Sequence, residues 1–212
     1  MFIDFIFDPV CPWCFIGKRR LNQACALRPG TVPEIRWRHF MLNPEMPDEG
    51  MDRTAYLIKK FGSEARVRRF YGSLNEAGRS VEAGFDFERI RLTPNTMNAH
   101  RLIHYAAGSG KAEEMLDALF HGYFINVMDI GNIGVLTDIG KSIGFSARAL
   151  ADYLNGLEGV EDVLEDNAKV HRLGVNSVPS FAFNGHMLIA GAQEPKVLAR
   201  LLDAAKAEEE AA

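Results

Sequence analysis

Two cysteines separated by two residues, Cys11-Pro12-Trp13-Cys14, are the side chains in this chain best suited to covalent chemistry. An apolar run with the composition of a strand, Phe2-Ile3-Asp4-Phe5-Ile6-Phe7, leads into them, and a helical pattern follows from about Pro12 to Leu27. Cys11 therefore falls at a helix N-terminus, where unpaired N–H groups and the positive end of the helix dipole favour a thiolate over a thiol. Cys14 lies one turn further in, close enough to close a disulfide with Cys11. Thiols arranged this way exchange electrons with another disulfide, because one thiolate attacks and its neighbour resolves the mixed disulfide. A C-x-x-C pair at a strand–helix junction reads as a redox motif. A structural zinc site would need a second half to its ligand set. Cys25 is the one further cysteine, and only His100 and His104 have ligand-like spacing, in a distant segment. No metal is expected, and a static structural disulfide does not suit a reducing compartment.

The elements that hold this pair belong to a chain of 212 residues, long enough for one large domain or for a domain carrying an insertion. With 47% hydrophobic and 25% charged residues it can build a core without disulfide staples. Its 24 basic and 28 acidic residues leave a net charge of −4, which gives nucleic acid no electrostatic foothold. Part of that charge sits in Glu208-Glu209-Glu210, a solvated tail. No basic-then-apolar leader opens the sequence and no apolar run approaches a membrane span, so a cytoplasmic protein with no membrane partner is expected.

Further along, Ile35 to Phe40 alternates as a second strand after Pro33. From about Asp52 to Ala83 the pattern is helical, and Thr93-Pro94 reads as the cap and first residue of a helix running from Asn95 to about Ala107. More helices fit Ala112 to Phe124, Ile133 to Ile143, Ala147 to Leu154 and Val160 to Leu173. The period then returns to two: Ser180 to Phe183 and His186 to Ala190 flank Asn184-Gly185, a strong hairpin signal. A last helix opens at Glu194-Pro195 and runs to about Glu208. Without the central helical block, this is the thioredoxin-like order of elements, with the reactive pair at the first strand–helix junction.

Several stretches together resemble the DsbA family of the thioredoxin superfamily, and within it the FrnE-like branch, a relative of 2-hydroxychromene-2-carboxylate isomerases and kappa-class glutathione transferases. They are Asp8-Pro9-Val10-Cys11-Pro12-Trp13-Cys14-Phe15-Ile16-Gly17, Leu42-Asn43-Pro44-Glu45-Met46-Pro47, Asn95 through Leu102, Gly174-Val175, Val178-Pro179-Ser180-Phe181 and Gly191-Ala192-Gln193. The resemblance implies an α/β fold: a thioredoxin-like mixed sheet with flanking helices (residues 1–45 and 158–212) carrying a large inserted all-helical domain (46–157). It also implies that Pro179 follows a cis peptide bond, where an isolated X-Pro bond would by default be trans. A cis bond there would present the Val178 backbone beside the sulfurs, for a substrate segment to add as a strand.

The activity implied is thiol–disulfide exchange, as a protein disulfide reductase or isomerase or as an oxidase. Disulfide- or thiol-containing proteins or small thiols would be the substrates; no cofactor is required, with glutathione a candidate electron partner. In the isomerase and kappa-transferase relatives Ser stands in place of the first Cys and glutathione is bound. This chain keeps both cysteines, so a glutathione-dependent isomerase or transferase is the alternative reading and a holdase-type chaperone a further one. Cys11 is the expected nucleophile and Cys14 the resolving thiol, with Pro12 and Trp13 setting the redox poise. His100 and Arg101 lie in the inserted helix, either facing the site to bind an acidic ligand or serving structure. Lys18, four residues after Cys14, reads as a surface lysine that could also favour a thiolate there. Asp8 could relay a proton to Cys14 or cap the first helical turn. His39 and Asp4 read as satisfied strand residues. Cys25, about 16 Å along the helix axis from Cys14, is out of disulfide range and reads as a buried small hydrophobe.

Overall fold

The computed structural model describes residues 1–211. In chain order the elements are β1 (Phe2–Phe7), α1 (Pro12–Ala26), β2 (Glu34–His39), β3 (Met51–Asp52), α2 (Arg53–Phe61), α3 (Glu64–Arg79), β4 (Leu92–Thr93) and α4 (Met97–Ala107). There follow α5 (Ala112–Phe124), α6 (Ile133–Ser142), α7 (Ala147–Asn155), α8 (Val160–Arg172), β5 (Ser180–Phe183), β6 (Met187–Ala190) and α9 (Pro195–Ala211). They form two compact units, Met1–Leu42 with Asp166–Ala212, and Asn43–Glu165. The second unit is longer than the 46–157 segment read from the sequence, taking in 43–45 and the first part of α8.

The first unit is built on a four-stranded mixed sheet of order β2-β1-β5-β6. β1 runs parallel to β2, with Phe7 opposite His39, and antiparallel to β5, with Phe5 opposite Phe181. Strand alternation decides what each face buries. Ile3, Phe5 and Phe7 point to one face and are fully buried with Phe181 and Phe183. The Phe5 and Phe181 rings meet at 5.2 Å between centroids. α9 packs on α1 and on β5. Ile6 belongs to a separate cluster with Phe40, Val170 and Val175, against which Val178 packs. Asn184 and Gly185 both take positive φ in the hairpin, as a two-residue primed turn requires. The ladder resumes with Phe183 opposite Met187, so His186 falls in the turn rather than in the strand expected from the sequence.

The second unit holds α2 to α7 and a short antiparallel ladder between β3 and β4, so it is predominantly rather than wholly helical. The helix expected over 52–83 is two helices. Gly62, at φ 87°, closes α2 in the left-handed conformation, and the Ser63 side chain accepts from Arg66 N to start α3. Thr93 does not cap a helix but pairs with Met51 in the ladder. α4 begins at Met97, whose N–H is received by the Asn95 side chain. Among the described residues no helix is long and apolar enough to cross a membrane.

Candidate active site

The turn between β1 and α1 positions the two thiols. Asp8 follows the last strand residue, and Cys11 N donates to Asp8 O at 3.0 Å, reversing the chain in one turn. Pro12 then opens α1 with φ preset and no N–H to waste. Cys11 is the N-cap, in extended conformation, and its side chain makes no capping bond to the first turn. The Cys11 carbonyl receives Cys14 N at 3.0 Å, which stacks Cys14 directly beneath it. Cys11 is 5% exposed and Cys14 0%, and both are free thiols.

Burial pushes the Cys14 thiol well up. A hydrogen bond and charge from Cys11 act in the same direction, as does the charge of Asp8, while a bond from the Asp8 backbone N–H opposes them. Cys14 is thus held as a protonated resolving group until something removes its proton. The Cys11 Sγ–H donates to the Val178 carbonyl at 3.6 Å. The Val178–Pro179 peptide bond is cis. α1 approaches this loop closely at Gly17, where a Cβ would lie 2.8 Å from Pro179 Cγ and 3.4 Å from Phe181 Cζ. Only a residue without a side chain fits there, so Gly17 sets the spacing between the thiol helix and the proline loop.

Asp8 is fully buried and does not cap α1. Its Oδ1 accepts Val10 N at 3.0 Å and its Oδ2 accepts Leu42 N at 2.8 Å. The stretch after β2 is held one amide at a time. His39 N donates to Asp166 Oδ2 (2.7 Å), Phe40 N to Phe7 O (3.0 Å) and Met41 N to Asn167 Oδ1 (2.8 Å). Burial pushes the Asp166 carboxyl up, against the His39 N–H bond and the charges of Arg38 and Lys169, which hold it down. Asp4 is engaged by Arg38 Nε at 2.6 Å, and His39 is buried edge-on to Phe7.

In the first unit the structure gathers Cys11, Pro12, Trp13, Cys14, Val178 and Pro179 around one strand–helix junction. Trp13 is half-buried beside them. His100 and Arg101 belong to the second unit, both buried on α4. The Arg101 guanidinium donates to the carbonyls of Tyr153 (2.7 Å), Leu154 (3.1 Å), Gly156 (2.9 Å) and Glu158 (2.8 Å) and to Asn98 Oδ1 (2.7 Å). These bonds use every donor of the planar fork, so Arg101 caps the C-terminal end of α7 and has none left for an acidic ligand. Lys18 is buried, 1% exposed, and is not the surface lysine expected. Cys25 is half-buried rather than buried.

A buried dithiol across the first turn of a helix, set against a cis-proline loop on a four-stranded sheet, defines a thioredoxin-fold protein of the DsbA type. The chain belongs to the DSBA-like thioredoxin domain family, whose profile matches residues 2–203. It is 25% identical over 187 residues to the uncharacterized protein YwbO of Bacillus subtilis (strain 168), covering 87% of each chain. Its structure is similar to that of a probable DsbA oxidoreductase from Streptomyces coelicolor, with a TM-score of 0.90 and 26% identity over 98% of this chain and 91% of that one. It shares a fold with the cytosolic disulfide reductase DsbM from Pseudomonas aeruginosa, solved with GSH: TM-score 0.66, 17% identity, over 100% of this chain and 98% of that one.

Proposed function

We propose that the chain is a thiol–disulfide oxidoreductase in which Cys11 is the nucleophile and Cys14 the resolving thiol. The Cys11 thiolate attacks one sulfur of a substrate disulfide, and the other sulfur leaves as a thiolate. Cys14, deprotonated, then attacks Cys11 Sγ; the Cys11–substrate bond breaks, the substrate is released reduced, and the Cys11–Cys14 disulfide holds the two-electron equivalent. Run in reverse, the same steps oxidise a substrate dithiol. The observation that carries this reading is the pair itself. Cys11 sits at the N-cap with its sulfur on the Val178 carbonyl, and a fully buried, protonated Cys14 lies one turn beneath it.

Pro12 and Trp13 tune the couple, and the Val178 backbone with Pro179 is where a substrate segment would pair. Glutathione is our proposed electron partner and the cytoplasm the proposed setting, supported by the fold shared with a cytosolic disulfide reductase solved with GSH. Cys14→Ser, in a Cys25→Ser background, is the test. Incubated with glutathione disulfide or a disulfide-bonded protein, it accumulates a mixed disulfide on Cys11 that the parent does not retain. Failure to trap any adduct on Cys11 would contradict the proposal.

A further inference from the structure

The resolving step needs Cys14 to give up a proton, and Cys14 has no contact with water. The charges that act on it are those of Cys11 and Asp8. During the resolving step Cys11 is tied up in the mixed disulfide and carries neither charge nor free lone-pair basicity of a thiolate. Asp8 is left. It touches both thiols through its own peptide groups, its carbonyl receiving Cys11 N at 3.0 Å and its N–H bonding the Cys14 sulfur. Its carboxylate is fixed in place by Val10 N and Leu42 N, at 3.0 and 2.8 Å, one donor on each oxygen. The other titratable side chains on neighbouring elements are Lys18, a turn beyond Cys14 on α1, and His39, opposite Phe7 on β2. Neither is among the groups whose charge acts on Cys14.

We infer that Asp8 is the proton acceptor for Cys14. As the Cys14 S–H proton passes to the Asp8 carboxylate, the Cys14–Cys11 S–S bond forms, the Cys11–substrate bond breaks, and the substrate leaves as a thiolate with the electron pair. In the reverse direction an incoming thiolate reopens the disulfide and Asp8 returns the proton to Cys14. A buried thiolate and a buried carboxylate side by side repel strongly, so the pair shares one proton rather than ionising together. The two amide donors on the carboxylate hold it in place and resist its permanent protonation, so it is set to pass a proton on rather than to keep it.

This inference rests on the oxidoreductase reading, and the experiment separates the two. Glutathione disulfide is mixed with reduced Cys25→Ser protein, with and without Asp8→Asn, and the Cys11 adduct and the final disulfide are quantified after acid quench. Adduct formation changes by less than about threefold, while resolution at neutral pH slows by about 10²-fold or more, the scale of losing a positioned base. The slowed rate recovers by about tenfold per pH unit as solvent base takes over. A charge effect alone has the opposite sign, because removing the Asp8 charge eases Cys14 ionisation and speeds resolution. Resolution as fast as in the parent, or faster, overturns the inference; no adduct in the parent overturns the oxidoreductase reading instead. A second measurement needs no substitution at Asp8. The Asp8 carboxyl carbon, followed by NMR in otherwise native protein, titrates differently in the dithiol and disulfide forms, and an identical titration in both would overturn the inference even if Asp8→Asn failed to fold.

Discussion

Replacing Arg101 by Ala separates a structural guanidinium from a ligand-binding one. Arg101 is 2% exposed, and its loss strands four carbonyls around the end of α7. Those of Tyr153 and Leu154 are buried, so each forfeits a charge-assisted bond with no water to replace it, about 1–3 kcal/mol apiece. Those of Gly156 and Glu158 are partly exposed, and water recovers most of their bonding, leaving about 0.5 kcal/mol each. The cation also lies 5.0 Å from the Tyr153 ring centroid, which adds about 0.5–1 kcal/mol. The expected loss is therefore about 4–7 kcal/mol, or a fall in Tm of at least about 8 °C for a chain of this size. Arg101→Lys, which places a single ammonium where a planar fork spanned several carbonyls, recovers less than half. Urea denaturation read by circular dichroism gives the stability change. Disulfide exchange at a temperature where both proteins are folded gives the activity. An Arg101→Ala protein as stable as the parent but unable to turn over a glutathione-based substrate would refute this reasoning and return Arg101 to the binding site.

Gly17→Ala drives a methyl group into Pro179 and costs about 1–3 kcal/mol by overpacking; because that contact sets the gap between α1 and the proline loop, exchange at Cys11 slows as well. Thermal unfolding and single-turnover exchange check both parts, and unchanged values in each would count against the close approach. The pH dependence of the reduced protein follows from Cys14, whose folded-state pKa lies above its unfolded value because of burial. The folded state then holds a proton that the unfolded state releases. Stability is unaffected below the ordinary thiol range near about 8.5 and falls above it by up to about 1.4 kcal/mol per pH unit. Cys14→Ser removes that alkaline loss, as a series of urea midpoints from neutral to alkaline pH would show. A thiol-alkylating reagent at neutral pH labels Cys11 and spares Cys14, whose sulfur is buried and protonated; mass mapping that found Cys14 labelled first would contradict the assigned order.

Much of the redox half is legible in the sequence because its signals are local. The apolar run of β1, Pro12 at the start of α1, the Cys pair and the Asn184-Gly185 turn each act within a few residues. The break between α2 and α3 was present in the same terms, as Gly62 followed by Ser63, but continued helical periodicity on both sides masks it. β3 and β4 pair Met51 with Thr93 over two residues each, too short for any alternation to register. The remaining features come from side chains bonding backbone far away in sequence. Asp166 and Asn167 grip His39 and Met41, Asp8 grips Leu42, and Arg101 gathers the 153–158 carbonyls. Such bonds have no period and no spacing, so Asp8 read equally as a helix cap and Arg101 as a ligand contact. Lys18 reads as a surface residue because burial of a single lysine on a helix depends on what packs over it.

The central claim, that Cys11 and Cys14 form a working redox couple, is tested most directly by equilibrating the Cys25→Ser protein in glutathione buffers and measuring the dithiol–disulfide ratio. The account predicts a single reversible two-electron couple, abolished by replacing either cysteine. A potential of roughly −200 to −270 mV would suit a reductase or isomerase fed by glutathione, and one near about −120 mV an oxidant. A dithiol that forms no reversible Cys11–Cys14 disulfide anywhere in that range would contradict it.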